Sequence, residues 1–344
     1  MLLWVEGFDA FGTTDNAAPS PTGVVGRKYQ TVSTESGMRV VPNRLLGKAL
    51  KLSNTNQYLQ RTLATTNAKL TTGIAIAFAA FPGAVREIIT LWDGATKGVN
   101  LVMQTSGELS VRLGTAAAFG TTSGLALGTG FNYIELEVVC ADGTGGSVEL
   151  RVNGVEVLKV TGIDTRAGAH DYHDGIRLTG DSSMIVTLDD WYVVDGSGSV
   201  NNTFLGNKRV ATIFPNAAGD SAQFTPSAGA NYAAVDESVC DDDDSYVQDS
   251  TAGHVDLYNY EALPAGFTGI SGLMVTTDVR VTDATSFSLK TPCKSGSTTS
   301  EGDSQSAGGT SYGSKVRVIE QNPATNAAWT ESGINAAQFG IQTV

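Results

Sequence analysis

Glu135-Leu-Glu137, inside the run FNYIELEVVC, is the nearest the sequence comes to a paired-carboxylate centre. Residues two apart on a strand share a face, which sets these glutamates about 7 Å from each other. Carboxylate pairs carry out acid–base cleavage of glycosidic bonds. No Asp lies between them, however, and alternating Glu on a strand face is ordinarily solvated surface. A second grouping, Ala169-His170-Asp171-Tyr172-His173-Asp174-Gly175, places imidazoles and carboxylates in one short segment. His170 and His173, with Asp171 or Asp174, would ligate a metal if that segment closed into a turn; otherwise it is a polar connection between strands. The run Asp241–Asp244 supplies the oxygen ligands that calcium takes, Asp241 and Asp243 foremost, but without the spaced D-x-D-x-D-G pattern. His254 stands alone, and no serine sits in a G-x-S-x-G elbow, so no catalytic residue is assigned. Sugar binding asks for aromatic rings beside hydrogen-bonding groups. Trp92, Asp93 and Tyr172 are the candidates, at loop edges, whereas Trp4, Trp191 and Trp329 lie in apolar contexts and read as core or interface anchors.

These groups need a scaffold, and the hydrophobic pattern predicts strands. Ile74, Ile76 and Phe78 alternate in GIAIAFAAF, the period of a half-buried strand. EIITLWDG and a pair around Ser106-Gly107 follow. Val148, Leu150 and Val152 alternate with Glu149 and Arg151, and Asn153-Gly154 supplies a two-residue turn that tolerates positive φ. With IRLTG and MIVTLDDWYVVD, roughly ten or more short strands predict a two-sheet sandwich over residues 1–200. Asp195–Ser199 has the composition of a flexible spacer. Beyond Phe204, KRVATIF (208–214), the shared face of Val275, Thr277, Val279 and Val281, Lys315–Ile319 and Phe339–Val344 predict a second, smaller β-domain over 204–344. Residues 215–252 read as a long loop, and INAAQFG as one helical turn.

The chain has 344 residues and a net charge of −13. Residues 1–200 hold 15 basic and 19 acidic side chains; residues 201–344 hold 7 and 16. Neither half offers the basic patch that nucleic acid requires. The three cysteines, Cys140, Cys240 and Cys293, form no CxxC pair and predict neither a zinc knuckle nor a disulfide framework. Cys140 is expected to be a buried thiol acting as a small hydrophobe. The opening MLLWVEGFDAFG lacks the basic region of a signal peptide, and no apolar run of about 20 residues predicts a membrane span.

WVEGFDAFG, VELRVNGVEVLKV and TLDDWYVVDGSG resemble the concanavalin A-like, laminin-G-type jelly roll. The resemblance implies an all-β jelly-roll sandwich over about residues 1–200, a fold that hosts lectins, hydrolases, adhesion modules and structural pieces alike. Such modules often hold calcium at the sandwich rim, where Asp189, Asp190 and Asp93 are acidic residues at strand ends. The remainder is similar to a module of tailed-bacteriophage structural proteins. The matching features are Phe204-Leu-Gly206, Pro215-Asn216…Gly219-Asp220, Phe224-Thr-Pro226-Ser, the acidic stretch before Tyr246, and Pro323-Ala-Thr…Trp329-Thr…Asn335-Ala-Ala…Phe339-Gly340. This resemblance implies a non-enzymatic virion component of the tail, tail tip or fibre, assembled in the host cytoplasm. It would be a homo-oligomer in contact with other virion proteins, with no cofactor unless calcium. The alternatives are a receptor-binding protein that takes a host surface glycan on its jelly roll, then a capsid decoration protein or a polysaccharide-degrading sandwich enzyme.

Overall fold

The computed structural model describes residues 1–344 apart from 33–34, 46, 123–126 and 284–285. The chain divides into two compact units, Met1–Val210 and Ala211–Val344. In the first, the alternating runs become β1 (Leu2–Glu6), β2 (Thr31–Val32), β3 (Arg39–Pro42), β4 (Lys48–Leu52) and β5 (Gln57–Thr62). There follow β6 (Lys69–Phe78), β7 (Arg86–Asp93), β8 (Thr96–Met103), β9 (Leu109–Leu113) and β10 (Ala118–Thr121). The set ends with β11 (Phe131–Val139), β12 (Gly146–Val152), β13 (Val155–Ile163), β14 (Gly175–Gly180) and β15 (Val186–Asp195).

These strands form two antiparallel sheets. One has eight strands in the order β13-β12-β11-β6-β15-β4-β3, with β1 joined to β15; the other has seven, β10-β9-β8-β7-β14-β5-β2. Neighbours remote in sequence, such as β6 with β15 and β5 with β14, are the crossovers of a jelly-roll sandwich. The chain is thus an all-β protein built on that fold. Its interior takes Ile74, Ile76, Phe78, Ile134 and Leu136 from the larger sheet and Leu59, Leu91, Leu101 and Leu178 from the smaller, all buried. Trp4, Tyr29 and Trp191 form an aromatic cluster with centroids 6.0–6.3 Å apart. Between β12 and β13, Asn153 and Gly154 adopt φ of 52° and 82°, the turn their types predict.

Two expectations are corrected here. β6 is buried on both faces, Thr71 and Ala75 as fully as Ile74, because the outer face of the larger sheet is covered. The cover is the segment 201–210, part of which had read as strand and whose approach had read as a free spacer. Met1 N donates to Ser197 O at 2.5 Å, tying the Gly-Ser stretch back to the sandwich. Leu205 N then donates to the Tyr192 hydroxyl (3.0 Å), Gly206 N to Glu135 (2.8 Å) and Val210 N to Asp190 (2.6 Å). The Phe204 ring lies 4.0 Å from the Arg151 guanidinium.

The second unit carries a sheet whose main order is 215–222, 255–260, 338–343, 288–290 and 305–306. A separate ribbon pairs Leu273–Val279 with Gly313–Ile319. Residues 208–214 are not a strand; pairing starts at Pro215, which a ladder tolerates at the first position of an edge strand. The stretch 215–252 is therefore not one loop: it holds that edge strand and a bridge between 225–226 and 247–248. Its core gathers Cys293, Ile319, Trp329, Ile334 and Phe339. The short helix Glu331–Asn335 begins at Thr330, whose hydroxyl accepts from Gly333 N at 3.0 Å. Among the described residues, no helix is long and apolar enough to cross a membrane.

Candidate functional site

The outer faces of the two sheets carry different chemistry. On the larger sheet, Glu135 and Glu137 do share a face, but they serve as anchors. Glu135 is buried and accepts from the Tyr192 hydroxyl (2.5 Å) and Gly206 N, while Glu137 accepts from Thr71 and Thr203 at 2.9 Å each. Beside them, a bulge in β15 gives Asp190 a φ of 49° and turns two carboxylates towards Arg44. Arg44 N donates to Asp189 (2.9 Å), and Arg44 Nη2 pairs with Asp190 at 2.7 Å. Burial, then the neighbouring Asp190, pushes the Asp189 carboxyl up to about 8. A carboxyl that burial keeps largely protonated at neutral pH, and that accepts from the backbone, is a poor calcium ligand.

On the smaller sheet, alternation sends Leu59, Ile176, Leu178, Ile89, Leu91, Val99, Leu101 and Val111 inwards. Their neighbours face out, and the strand register aligns them. Gln60 of β5 pairs with Arg177 of β14, Arg177 with Thr90 of β7, Thr90 with Asn100 of β8, and Asn100 with Arg112 of β9. Five polar side chains therefore form one row across five strands. Flanking rows bring Tyr58 opposite Thr179, and Gly175 opposite Trp92 opposite Lys97.

Arg177 is the centre of this face. Its guanidinium lies 4.0 Å from the Tyr58 ring centroid and 4.4 Å from that of Trp92. Its Nε and Nη2 donate to Gln60 Oε1 at 2.9 and 2.6 Å. Burial lowers its pKa, the mark of a cation stripped of water without full compensation. Lys97 pairs with Glu87 at 2.5 Å, and Glu87 also accepts from Thr90 (3.3 Å). Asn100 Nδ2 donates to Gly114 O at 2.6 Å. Yet Asn100 Oδ1, Trp92 Nε1, Arg112 Nε and Thr179 Oγ1 are buried without a hydrogen-bond partner among the described residues.

At the end of β7 two of the sugar-binding candidates, Asp93 and Tyr172, are linked through His170. Asp93 follows Trp92 and accepts from both His170 N (3.0 Å) and, on Oδ1, from His170 Nδ1 at 2.6 Å. The His170 ring stacks on Tyr172 with centroids 4.7 Å apart. Burial raises the Asp93 carboxyl, but the His170 hydrogen bonds outweigh it and hold the net pKa below the ordinary value. An imidazole tied at Nδ1 to a carboxylate, half-exposed and with Nε2 left over, is an oriented proton acceptor. His173 does not join it: that ring is buried against Gly98, and burial pushes its pKa down to about 4.

The metal candidates do not assemble. Asp241 accepts from Ser245 Oγ at 3.0 Å, and Asp243 is taken by Arg280 (2.8 Å) and the Tyr312 hydroxyl (2.9 Å). Among the described residues, no three His, Cys, Asp or Glu side chains converge to hold an ion. Cys140 is buried as expected, its thiol pushed up to about 12 by burial. The sequence reading missed Tyr58, Gln60, Arg177, Asn100 and Arg112. Their one local signal is a polar residue at every second position of otherwise apolar strands.

No protein-family model matches the chain, and no curated protein matches it. Among solved structures, it is similar to the marine alginate lyase from Aplysia kurodai (9% identity, TM-score 0.42, covering 56% of this chain and 99% of that one). It is also similar to an endo-β-1,4-glucuronan lyase from the fungus Trichoderma reesei (12%, 0.35, 48% and 90%). A third is botulinum neurotoxin type C, whose cell entry depends on two ganglioside molecules (12%, 0.33, 46% and 42%). At these values the likeness is one of fold, and the activities belong to those proteins. The reading of the chain as a non-enzymatic structural part of a phage particle is corrected by these neighbours: two are polysaccharide lyases, the third engages gangliosides, and none of the three is a particle component.

Proposed function

We propose that the outer face of the seven-stranded sheet binds carbohydrate, with an extended sugar chain lying across the strands over Gln60, Arg177 and Arg112, the part-exposed members of the row, while Thr90 and Asn100 lie buried beneath it. The observation that carries this reading is the set of four buried polar atoms, on Trp92, Asn100, Arg112 and Thr179, that the protein leaves unpaired on one face. Each such atom costs about 1–3 kcal/mol. Sugar hydroxyls, which both donate and accept, are suited to satisfy donors and acceptors set side by side. The test is retention of the full chain on a panel of immobilised polysaccharides. Retention that Trp92→Ala and Asn100→Ala each abolish supports the reading; retention that survives both refutes it.

A second reading rests on the Asp93–His170 pair at the end of the Trp92 strand: the bound chain is also cut there, with His170 as base. His170→Ala would then keep retention and lose the release of new chain ends. No release from the unaltered protein with any retained polysaccharide would remove this reading and leave the first.

A further inference from the structure

We propose that the ligand of this face is an anionic glycan, read at two points along its length by Arg177 and Arg112. The inference rests on the carbohydrate reading above and adds the chemical class of the sugar. The charged side chains on the three rows are Arg177, Arg112 and Lys97, and Lys97 already forms an ion pair with the neighbouring Glu87. Neither arginine pairs with a carboxylate among the described residues. In a chain of net charge −13, where twelve other basic side chains find an acidic partner in the structure, two guanidiniums without a carboxylate partner on one sheet face are a local departure that an anion would complete.

The geometry sharpens this. Arg177 is clamped between two aromatic rings and fixed in its own plane by Gln60, so its orientation is set before any ligand arrives. Nη1 makes none of these bonds. A planar guanidinium held in this way matches a carboxylate or sulfate, where an ammonium would offer a point charge only. Arg112 contributes a buried Nε that has no protein acceptor, next to the equally unpaired Asn100 Oδ1. Three strand spacings separate the two arginines, about 14 Å at 4.7–4.9 Å each. A single acidic monosaccharide does not span that distance; a chain with repeated acidic groups does.

The test is calorimetric titration of the full chain with a polyuronate, a sulfated polysaccharide and a neutral glucan, at about 10 mM and about 150 mM salt. The expected result is that at least one acidic polymer binds tenfold or more tightly than the glucan, and that salt weakens it. Preference between the two acidic polymers distinguishes carboxylate from sulfate. Arg177→Gln and Arg112→Gln should each weaken binding about tenfold, or about 1.4 kcal/mol. Lys159→Gln, the same loss of charge on the other sheet, should leave it unchanged. If Arg177→Gln does not fold, Arg112→Gln and the salt dependence still decide. Equal binding of the glucan, insensitive to both arginines but abolished by Trp92→Ala, would overturn the acidic class and spare the carbohydrate reading. Binding of none of the three would overturn both.

Discussion

The two outer faces of the jelly roll start from the same strand grammar and end differently. On the eight-stranded sheet, segment 201–210 engages what alternation turned outwards: Glu135, Tyr192 and Asp190 each accept a backbone N–H from it, and of these carboxylates only Glu135 Oε2 stays unpaired among the described residues. On the seven-stranded sheet Thr90 and Asn100 are buried as well, yet four buried polar atoms keep no hydrogen-bond partner among the described residues. A polar sheet face is thus no signature of function until its hydrogen bonds have been accounted for. Glu135 and Glu137 look more like catalysis in sequence than Asn100 and Arg112 do. The accounting reverses that order, because the glutamates are spent on holding the chain. Substitutions on the covered face should therefore cost stability, and those on the other face should cost binding.

The largest expected effect is at Arg44. It pairs with Asp190, and it also donates to Asn207 (2.6 Å) and to Lys208 O (2.8 Å) in the covering segment. Arg44→Ala would leave a buried carboxylate uncompensated, a loss of about 3–5 kcal/mol, read as a lower urea midpoint. A loss under about 1 kcal/mol would show that the segment is held by packing alone. The next effect is at Asp189. Its folded pKa, about 8, lies above the ordinary 3.8, so between these values the folded state keeps a proton that the unfolded state releases. Stability should then fall as pH rises from about 4 to 8, by at most about 1.4 kcal/mol per pH unit. Asp189→Asn should flatten that slope while keeping the acceptor for Arg44 N. An unchanged slope above pH 6.5 in urea melts would assign it elsewhere.

The same contrast explains what the sequence could and could not reveal. Strands followed from short-range alternation, the β12–β13 turn from Asn153-Gly154, and the buried Trp4, Trp191 and Trp329 from their apolar neighbours, because all three depend on residues close in sequence. Trp92, Asp93 and Tyr172 were legible as chemistry; Asp93 and Tyr172 are linked through His170, whereas Trp92 stacks on Arg177. The row that runs from Gln60 to Arg112 was not legible. It exists only once residues 60, 177, 90, 100 and 112 are in register, and a slip of one position in any strand would turn that member inwards. The covering segment was hidden for a related reason. Residues 201–210 have no period of their own, and Lys208–Phe214 read as strand because Val210, Thr212 and Phe214 mimic alternation. Asp189 and Asp190 were read as acidic residues at a strand end, since the bulge that buries them leaves no mark in composition.

At the rim, His173 gives the opposite pH dependence. Its folded pKa, about 4, lies below the ordinary 6.5, so stability should fall as pH drops from 6.5 to 4, on the order of 2–3 kcal/mol in total. In that range it opposes Asp189, and His173→Asn should therefore expose the Asp189 slope alone in melts at pH 4.5 and 6. The smallest effect is expected at Arg177, and its smallness is the point. Removing the guanidinium forfeits its contacts with Tyr58 and Trp92, about 0.5–1 kcal/mol each way for such stacking. It also relieves the burial that depresses the Arg177 pKa, and Gln60 keeps other company in solvent. Arg177→Gln should therefore shift the urea midpoint by less than about 1 kcal/mol even though it weakens glycan binding tenfold. A loss as large as that at Arg44 would make Arg177 a structural residue and bring the two faces back to a single role.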